Sequence, residues 1–167
     1  EWWVVRDGEG VPRRTALIAT TPLDFSDIEV RRVFATSEDG TQVPMTLIAR
    51  TGTLESAPAP TLLAGYGGYG ISIKPWFFPS NLLWLERGFV FAIANIRGGG
   101  EYGDAWHQAG RLLTKQNCFD DFAACARYLV EAGITTVDSL AIRGGSNGGL
   151  LMGAVLTQHP DVARAVV

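Results

Sequence analysis

Charge, sulfur and imidazole are all sparse in this chain. Charged residues make up 19% of it, with 14 Lys and Arg against 17 Asp and Glu. No Lys/Arg run exceeds two residues and the formal net charge is −3. The sequence therefore offers no basic surface for nucleic acid or an anionic membrane. Cys118 and Cys125 are the only cysteines. They fall in one helix-like stretch, about 10 Å apart by helical rise, which is too far to bridge. They read as buried thiols of a reducing compartment, which places the protein in the cytoplasm. The apolar run at 89–96 is far too short to span a bilayer. The opening Glu1-Trp2-Trp3 lacks the charged-then-apolar order of a signal peptide. There is no internal repeat, and the chain reads as a piece cut from something longer.

Glycine, by contrast, is abundant. Twelve of its 20 copies fall at 65–70, 97–103 and 144–149, and clustered glycine marks tight turns and close backbone approach. Around these clusters the pattern predicts a definite order of elements. Residues 28–36 and 42–50 are strand-like, and the Asp39-Gly40 pair between them is a hairpin signal. Residues 1–20 form two short apolar runs split by 7–10, which suits a trailing hairpin, and 51–60 reads as a surface loop. Beyond 60 the pattern alternates. Strands are expected at 61–65, 89–95 and 139–143, with another opening at 163–167. Helices are expected at 80–87, capped by Ser80 or Asn81, at 117–131 and at 148–158. Asn117 and Asp120 form a capping-box-like start for the second of these. The apolar run 89–95 fits a strand covered on both faces. This β-α-β-α-β order predicts an α/β fold: an antiparallel hairpin leading into a mostly parallel sheet with helices on both faces.

The motif that carries chemistry is Gly144-Gly145-Ser146-Asn147-Gly148-Gly149. It matches Gly-x-Ser-x-Gly in the context that gives the pattern meaning, a strand running through a sharp turn into a helix. Glycines two positions either side of Ser146 keep side chains from colliding where strand and helix pack closely. The helix N-terminus favours a developing negative charge, so the Asn147 N–H is a natural oxyanion donor to a Ser146 nucleophile. A bystander serine in a glycine turn is the bland alternative, and the strand–turn–helix context weighs against it. The missing Gly-Lys-Ser/Thr ending and the glycine spacing weigh against a phosphate-binding loop.

Three blocks, Gly65 to Ser72, Asn95 to His107 and Gly144 to Gly149, together with Lys115 to Phe122, resemble the prolyl oligopeptidase family over roughly 27–167. The resemblance implies a partial α/β-hydrolase fold, with the Tyr66 hydroxyl as second oxyanion donor and Tyr69 lining the pocket for a proline ring. Asn147 is similar to prolyl oligopeptidases, where oligopeptidase B usually has alanine. Tyr69 departs from their usual phenylalanine and matches oligopeptidase B. Arg97 and the glycines after it read equally as a shaping loop and as a structural salt bridge.

A serine nucleophile also needs a base and an orienting acid. His159 ends the helix behind Ser146, some 15 Å away by helical rise, and is excluded as the base. His107, in a loop, reads as structural. Asp120 and Asp121 read as capping and surface charges. The acid and base are therefore expected beyond Val167, in the Ser, Asp, His order of this fold, and the isolated chain is expected to be inactive. Residues 1–25 read as the end of an upstream propeller-like region or a connecting segment, and 26–167 as the first part of the peptidase domain. The implied activity is serine-type hydrolysis of short peptides after proline, with no metal, organic cofactor or nucleic-acid partner. Cleavage after basic residues, esterase activity and an inactive binding module are the rival readings.

Overall fold

The structure, a computed structural model, describes residues 2–8, 10–17, 23–56, 58–75 and 79–167. Two short exposed strands, β1 (Trp3–Val4) and β2 (Arg13–Arg14), form a separate antiparallel ladder. The expected connecting segment falls partly at 18–22, outside the described residues.

The main sheet begins with β3 (Ile28–Thr36) and β4 (Gln42–Arg50), paired antiparallel over their full length. Gly40 supplies the positive φ of 84° that the turn needs. The turn is closed by Ser37 N–H to Thr41 O at 2.8 Å and by Thr41 N–H to the Asp39 carboxylate at 3.0 Å. The chain continues through β5 (Thr61–Ala64), α1 (Pro79–Leu85), β6 (Val90–Ala94), α2 (Asp104–Gln108), α3 (Gln116–Glu131), β7 (Leu140–Arg143), α4 (Asn147–Gln158) and β8 (Ala165–Val166). Short 3-10 turns at Leu112–Thr114 and Val137–Ser139 complete it.

The sheet order is β3-β4-β6-β5-β7-β8, antiparallel at the first two junctions and parallel at the rest. This is the expected fold class, with differences at element ends. Helix α1 opens at Pro79, where the missing N–H of proline costs nothing, rather than behind a Ser80 or Asn81 cap. The predicted capping box of α3 does not form. Lys115 is the N-cap in helical conformation, with no side-chain capping bond. The Asn117 amide instead donates to Ala109 O at 2.9 Å, and Asp120 accepts from Gln116 at 2.7 Å. His107 lies on α2 rather than in a loop.

One face of the sheet is closed. Leu47, Leu63, Ala92 and Ile142 are each at most 1% exposed, in one core with Phe122, Cys125 and Leu129 of α3 and Leu151 and Val155 of α4. The buried stripe of α3 at 118, 122, 125, 126 and 129 follows the helical repeat. The opposite face is only partly covered. Leu62, Phe91 and Ile93 line a hollow of about 250 Å³ that Asn81 of α1 borders. The apolar run of β6 is thus sealed on one side and half-covered on the other, rather than on both.

From β5 the chain crosses to β6 on one side and later returns to β7 on the other. In open α/β sheets, sites form outside the carboxyl ends of the strands at such a reversal. Ala64 and Arg143 are register partners there, and each strand leads directly into a glycine-rich segment.

Candidate active site

Ser146 stands between β7 and α4 with φ 55° and ψ −119°, a conformation an L-residue adopts only under constraint. Its neighbours impose that constraint. A Cβ on Gly144 would lie 2.2 Å from Gly148 O, and one on Gly148 would lie 2.8 Å from Gly65 O. Strand and helix can approach this closely only because both positions are glycine. The Ser146 side chain is exposed and caps no helix N–H. Its hydroxyl has no hydrogen-bond partner among the described residues.

Helix α4 leaves its first N–H groups without intrahelical acceptors. Those of Gly148 and Gly149 fold back to Gly145 O and Ser146 O, at 2.8 Å each. The Asn147 N–H has no backbone acceptor among the described residues. The Asn147 side chain turns the other way, donating from Nδ2 to Tyr66 O at 2.7 Å. That bond ties the serine turn to the loop 65–70. Tyr66 is half-buried, and its hydroxyl is unbonded among the described residues. Tyr69 is 77% exposed at φ 56°. With Gly68, Asn147, His107, Arg111, Leu112 and Lys115 it lines a hollow of about 360 Å³. Ser146, Tyr69 and Leu112 are the non-glycine residues with positive φ among those described. All three lie at this end of the sheet, and backbone strain of this kind gathers at functional sites.

Arg97 forms a buried structural ion pair, the salt-bridge reading of the two. Its side chain is 6% exposed, and that of Asp121 is 0%. The guanidinium reaches Asp121 through Nε at 2.9 Å and Nη2 at 2.6 Å, and the Arg97 backbone N–H adds a bond at 3.0 Å. Ser37 Oγ donates to the same carboxylate at 2.6 Å, and Asp39 pairs with the guanidinium from outside. Asp121 is therefore not the surface charge its place early in a helix suggested. Its neighbour Asp120 faces outward, and one helical step of 100° separates the two fates. Burial opposes the Arg97 charge, but the bonds to Asp121 and Asp39 outweigh it and hold its pKa above the ordinary value. Hydrogen bonds from Arg97 and Thr41 hold Asp39 well below the usual carboxylate range.

Neither histidine reaches Ser146. His107 Nδ1 is bonded to Gly98 O at 2.8 Å. His159 is the C-cap of α4, and Arg127 Nη2 lies 3.0 Å from its Nδ1. A guanidinium only donates, so Nδ1 accepts and the imidazole proton sits on Nε2. Glu38, Asp120 and His159 bring ligand atoms within 4.8 Å of one another. Arg127 already holds the imidazole there and stands 4.0 Å from Glu38, so a cation of the protein's own serves that cluster. Both cysteines are free and buried. Burial raises the Cys118 thiol to about 11 and pushes Cys125 up as well. Arg111 and Leu112, which no sequence signal singled out, line the hollow beside Lys115, which opens the resembling block 115–122 but had no role assigned to it.

A mixed sheet with this strand order, carrying a strained, exposed serine between a strand and the N-terminus of the next helix, defines an α/β-hydrolase-type catalytic fold. Comparison with known proteins narrows the class. Residues 75–167 match the model of the prolyl oligopeptidase family, and the chain belongs to that family. It is 47% identical over 133 residues to a prolyl endopeptidase of Elizabethkingia meningoseptica, covering 80% of this chain and 19% of the relative. To a prolyl endopeptidase of Dictyostelium discoideum it is 50% identical over 145 residues, covering 85% and 19%. A solved prolyl endopeptidase superposes with a TM-score of 0.85 at 52% identity, covering 88% of this chain and 22% of the other. Oligopeptidase B from Leishmania major superposes with a TM-score of 0.83 at 45% identity, covering 87% and 20%. The chain thus spans about a fifth of the length of these relatives. No helix among the described residues is long and apolar enough to cross a membrane.

Proposed function

We propose that this chain supplies the nucleophile and oxyanion hole of a serine-type oligopeptidase that hydrolyses short peptides on the carboxyl side of proline. The observation that carries this reading is the Ser146 turn: an exposed hydroxyl in strained backbone, beside a free Asn147 N–H and facing the loop that bears Tyr66. Ser146 Oγ attacks the scissile carbonyl carbon while a base takes its proton. The carbonyl electron pair moves onto oxygen, where the Asn147 N–H and the neutral Tyr66 phenol donate to it. Collapse expels the amine, which leaves with the proton, and water cleaves the resulting acyl-enzyme by the same steps in reverse order. The base and its acid belong to chain outside these 167 residues. No described imidazole is bonded to Ser146, so the 167 residues alone are expected not to turn over peptides.

Tyr69 would form one wall of the pocket for the proline ring. Its match to oligopeptidase B and the structural likeness at 45% identity favour a second reading, cleavage after basic residues. The charge around the hollow speaks against it. Arg111 and Lys115 line it and none of its described lining residues is acidic, which disfavours a cationic side chain. We assign residues 1–25 to the end of an upstream propeller-like region or to a connecting segment, a reading supported by the ladder of β1 and β2 standing outside the main sheet. Two unpaired buried thiols fit a cytoplasmic setting.

The test is fluorophosphonate labelling of the full-length gene product. Ser146→Ala should abolish labelling and turnover, and labelling that survives the substitution refutes the assignment. Tyr69→Ala should weaken Gly-Pro chromogenic substrates more than Gly-Arg ones. Equal losses on both would remove Tyr69 from the pocket.

A further inference from the structure

Four of the six residues in the loop 65–70 are glycine, so the loop has little stiffness of its own. Outside groups hold it instead. Asn147 Nδ2 takes the Tyr66 carbonyl, and the Gly70 N–H donates to Gly98 O at 3.0 Å. The Gly67 carbonyl, between the two tyrosines, accepts from Lys115 Nζ at 2.6 Å and from Cys118 Sγ at 3.3 Å. Gly67 itself sits at φ 62°, where a Cβ would lie 2.3 Å from Cys118 Sγ. Lys115 is fixed in turn, with Nζ 3.5 Å from Cys118 Sγ and 5.7 Å from the centre of the Phe119 ring. Among the described residues it has no ion-pair partner, and it lines the hollow next to Asn147.

We propose that Lys115 is a positioning residue of the oxyanion hole. Its ammonium fixes the Gly67 carbonyl, so that the preceding Tyr66 phenol is aimed at the oxygen of the tetrahedral intermediate. Its unpaired charge adds positive potential on the same side. The inference rests on the proposed role of Tyr66 as oxyanion donor. It is separable from Asn147, which belongs to the hole itself, because Lys115 touches the loop and not the serine turn.

A misplacement of about 1 Å in such a group costs on the order of 10²-fold in rate. In the full-length protein, with turnover normalised to fluorophosphonate-titrated sites, Lys115→Met should lower kcat by about that factor while KM moves less than about threefold. Lys115→Arg, which keeps donor and charge, should recover most of the loss. Tyr66→Phe should lower kcat by about 10²–10³-fold. Adding Lys115→Met to it should cost little more, because both changes disable one donor. If Tyr66→Phe is silent, the reading of Tyr66 falls. If Tyr66→Phe is costly but Lys115→Met is silent, or its loss adds in full, the role of Lys115 is overturned. Should Lys115→Met give no titratable sites, Lys115→Gln, uncharged and one atom too short to make the same bond to the Gly67 carbonyl, replaces it, and activity equal to wild type overturns the proposal in the same way.

Discussion

The serine turn at 144–149 and the loop at 65–70 meet at the same end of the sheet and are both rich in glycine, yet they are held in different ways. The turn is held mainly from within, although Gly148 also rests against Gly65 O and the Gly144 N–H donates to Val167 O at 3.1 Å. Gly144 and Gly148 press backbone against backbone, and the bonds of Gly148 and Gly149 close on residues three positions earlier. The loop is held from outside, by Asn147, Lys115, Cys118 and Gly98, residues 28 to 81 positions distant in sequence. The proposed nucleophile, Ser146, stands on a turn whose geometry depends mainly on its local sequence. The proposed oxyanion donor, Tyr66, stands on a loop braced by other elements and depends on the packing of the whole domain. The difference predicts that distant substitutions damage the loop first and the turn last.

The largest effect is expected from the brace beneath the loop. Arg97→Met leaves Asp121 buried and unpaired, and breaking a buried pair in this way costs about 3–5 kcal/mol. The denaturation midpoint should fall accordingly. Because Gly98 carries the bond from Gly70, kcat of the remaining folded enzyme should fall too, while Ser146 still labels with fluorophosphonate. Labelling lost in proportion to kcat would erase the distinction between turn and loop.

Gly144→Ala attacks the turn directly. Its Cβ would meet Gly148 backbone atoms that have no room to move, and overpacking of this kind costs about 1–3 kcal/mol. Here fluorophosphonate labelling should drop along with turnover. Unchanged labelling would show that the close packing of strand on helix does not hold the serine.

A smaller effect comes from the exposed rim of the Arg97 cluster. The Asp39 pKa is depressed in the folded state, chiefly by Arg97. Its contribution is therefore fully present above the unfolded value of about 4 and is lost as the pH falls from there through the lower folded value. The Asp39 side chain is 46% exposed, so the contribution is under about 1 kcal/mol. Asp39→Asn should remove that part of the acid limb of a stability–pH curve and leave the curve above pH 5 nearly parallel. The smallest effect is expected at Cys118. With its thiol raised to about 11, the native protein at pH 8 should react with a thiol reagent only as fast as it opens. Rapid reaction would mean that the brace on Gly67 is loose.

Much of the fold was legible because its signals are local. Asp39-Gly40 gave the hairpin, the alternation beyond residue 60 gave the order of strands and helices, and three glycine clusters marked the turns. Gly-x-Ser-x-Gly between a strand and a helix pointed by the same route to the proposed Ser146 and Asn147 N–H, since most of that turn's geometry is local. Tyr66 and Tyr69 came from resemblance, not from any spacing. The order β3-β4-β6-β5-β7-β8, which sets Gly65 beside Gly148, was decided only by tertiary packing. So was the fate of two adjacent aspartates: Asp120 stayed at the surface while Asp121 was drawn onto Arg97. Lys115 is the clearest case. Before folding it only opens the resembling block 115–122 with no role of its own, and only the approach of α3 to loop 65–70 brings its ammonium within 2.6 Å of the Gly67 carbonyl. Backbone geometry is specified by neighbours in sequence, whereas a long side chain finds its acceptor in whatever the fold sets before it.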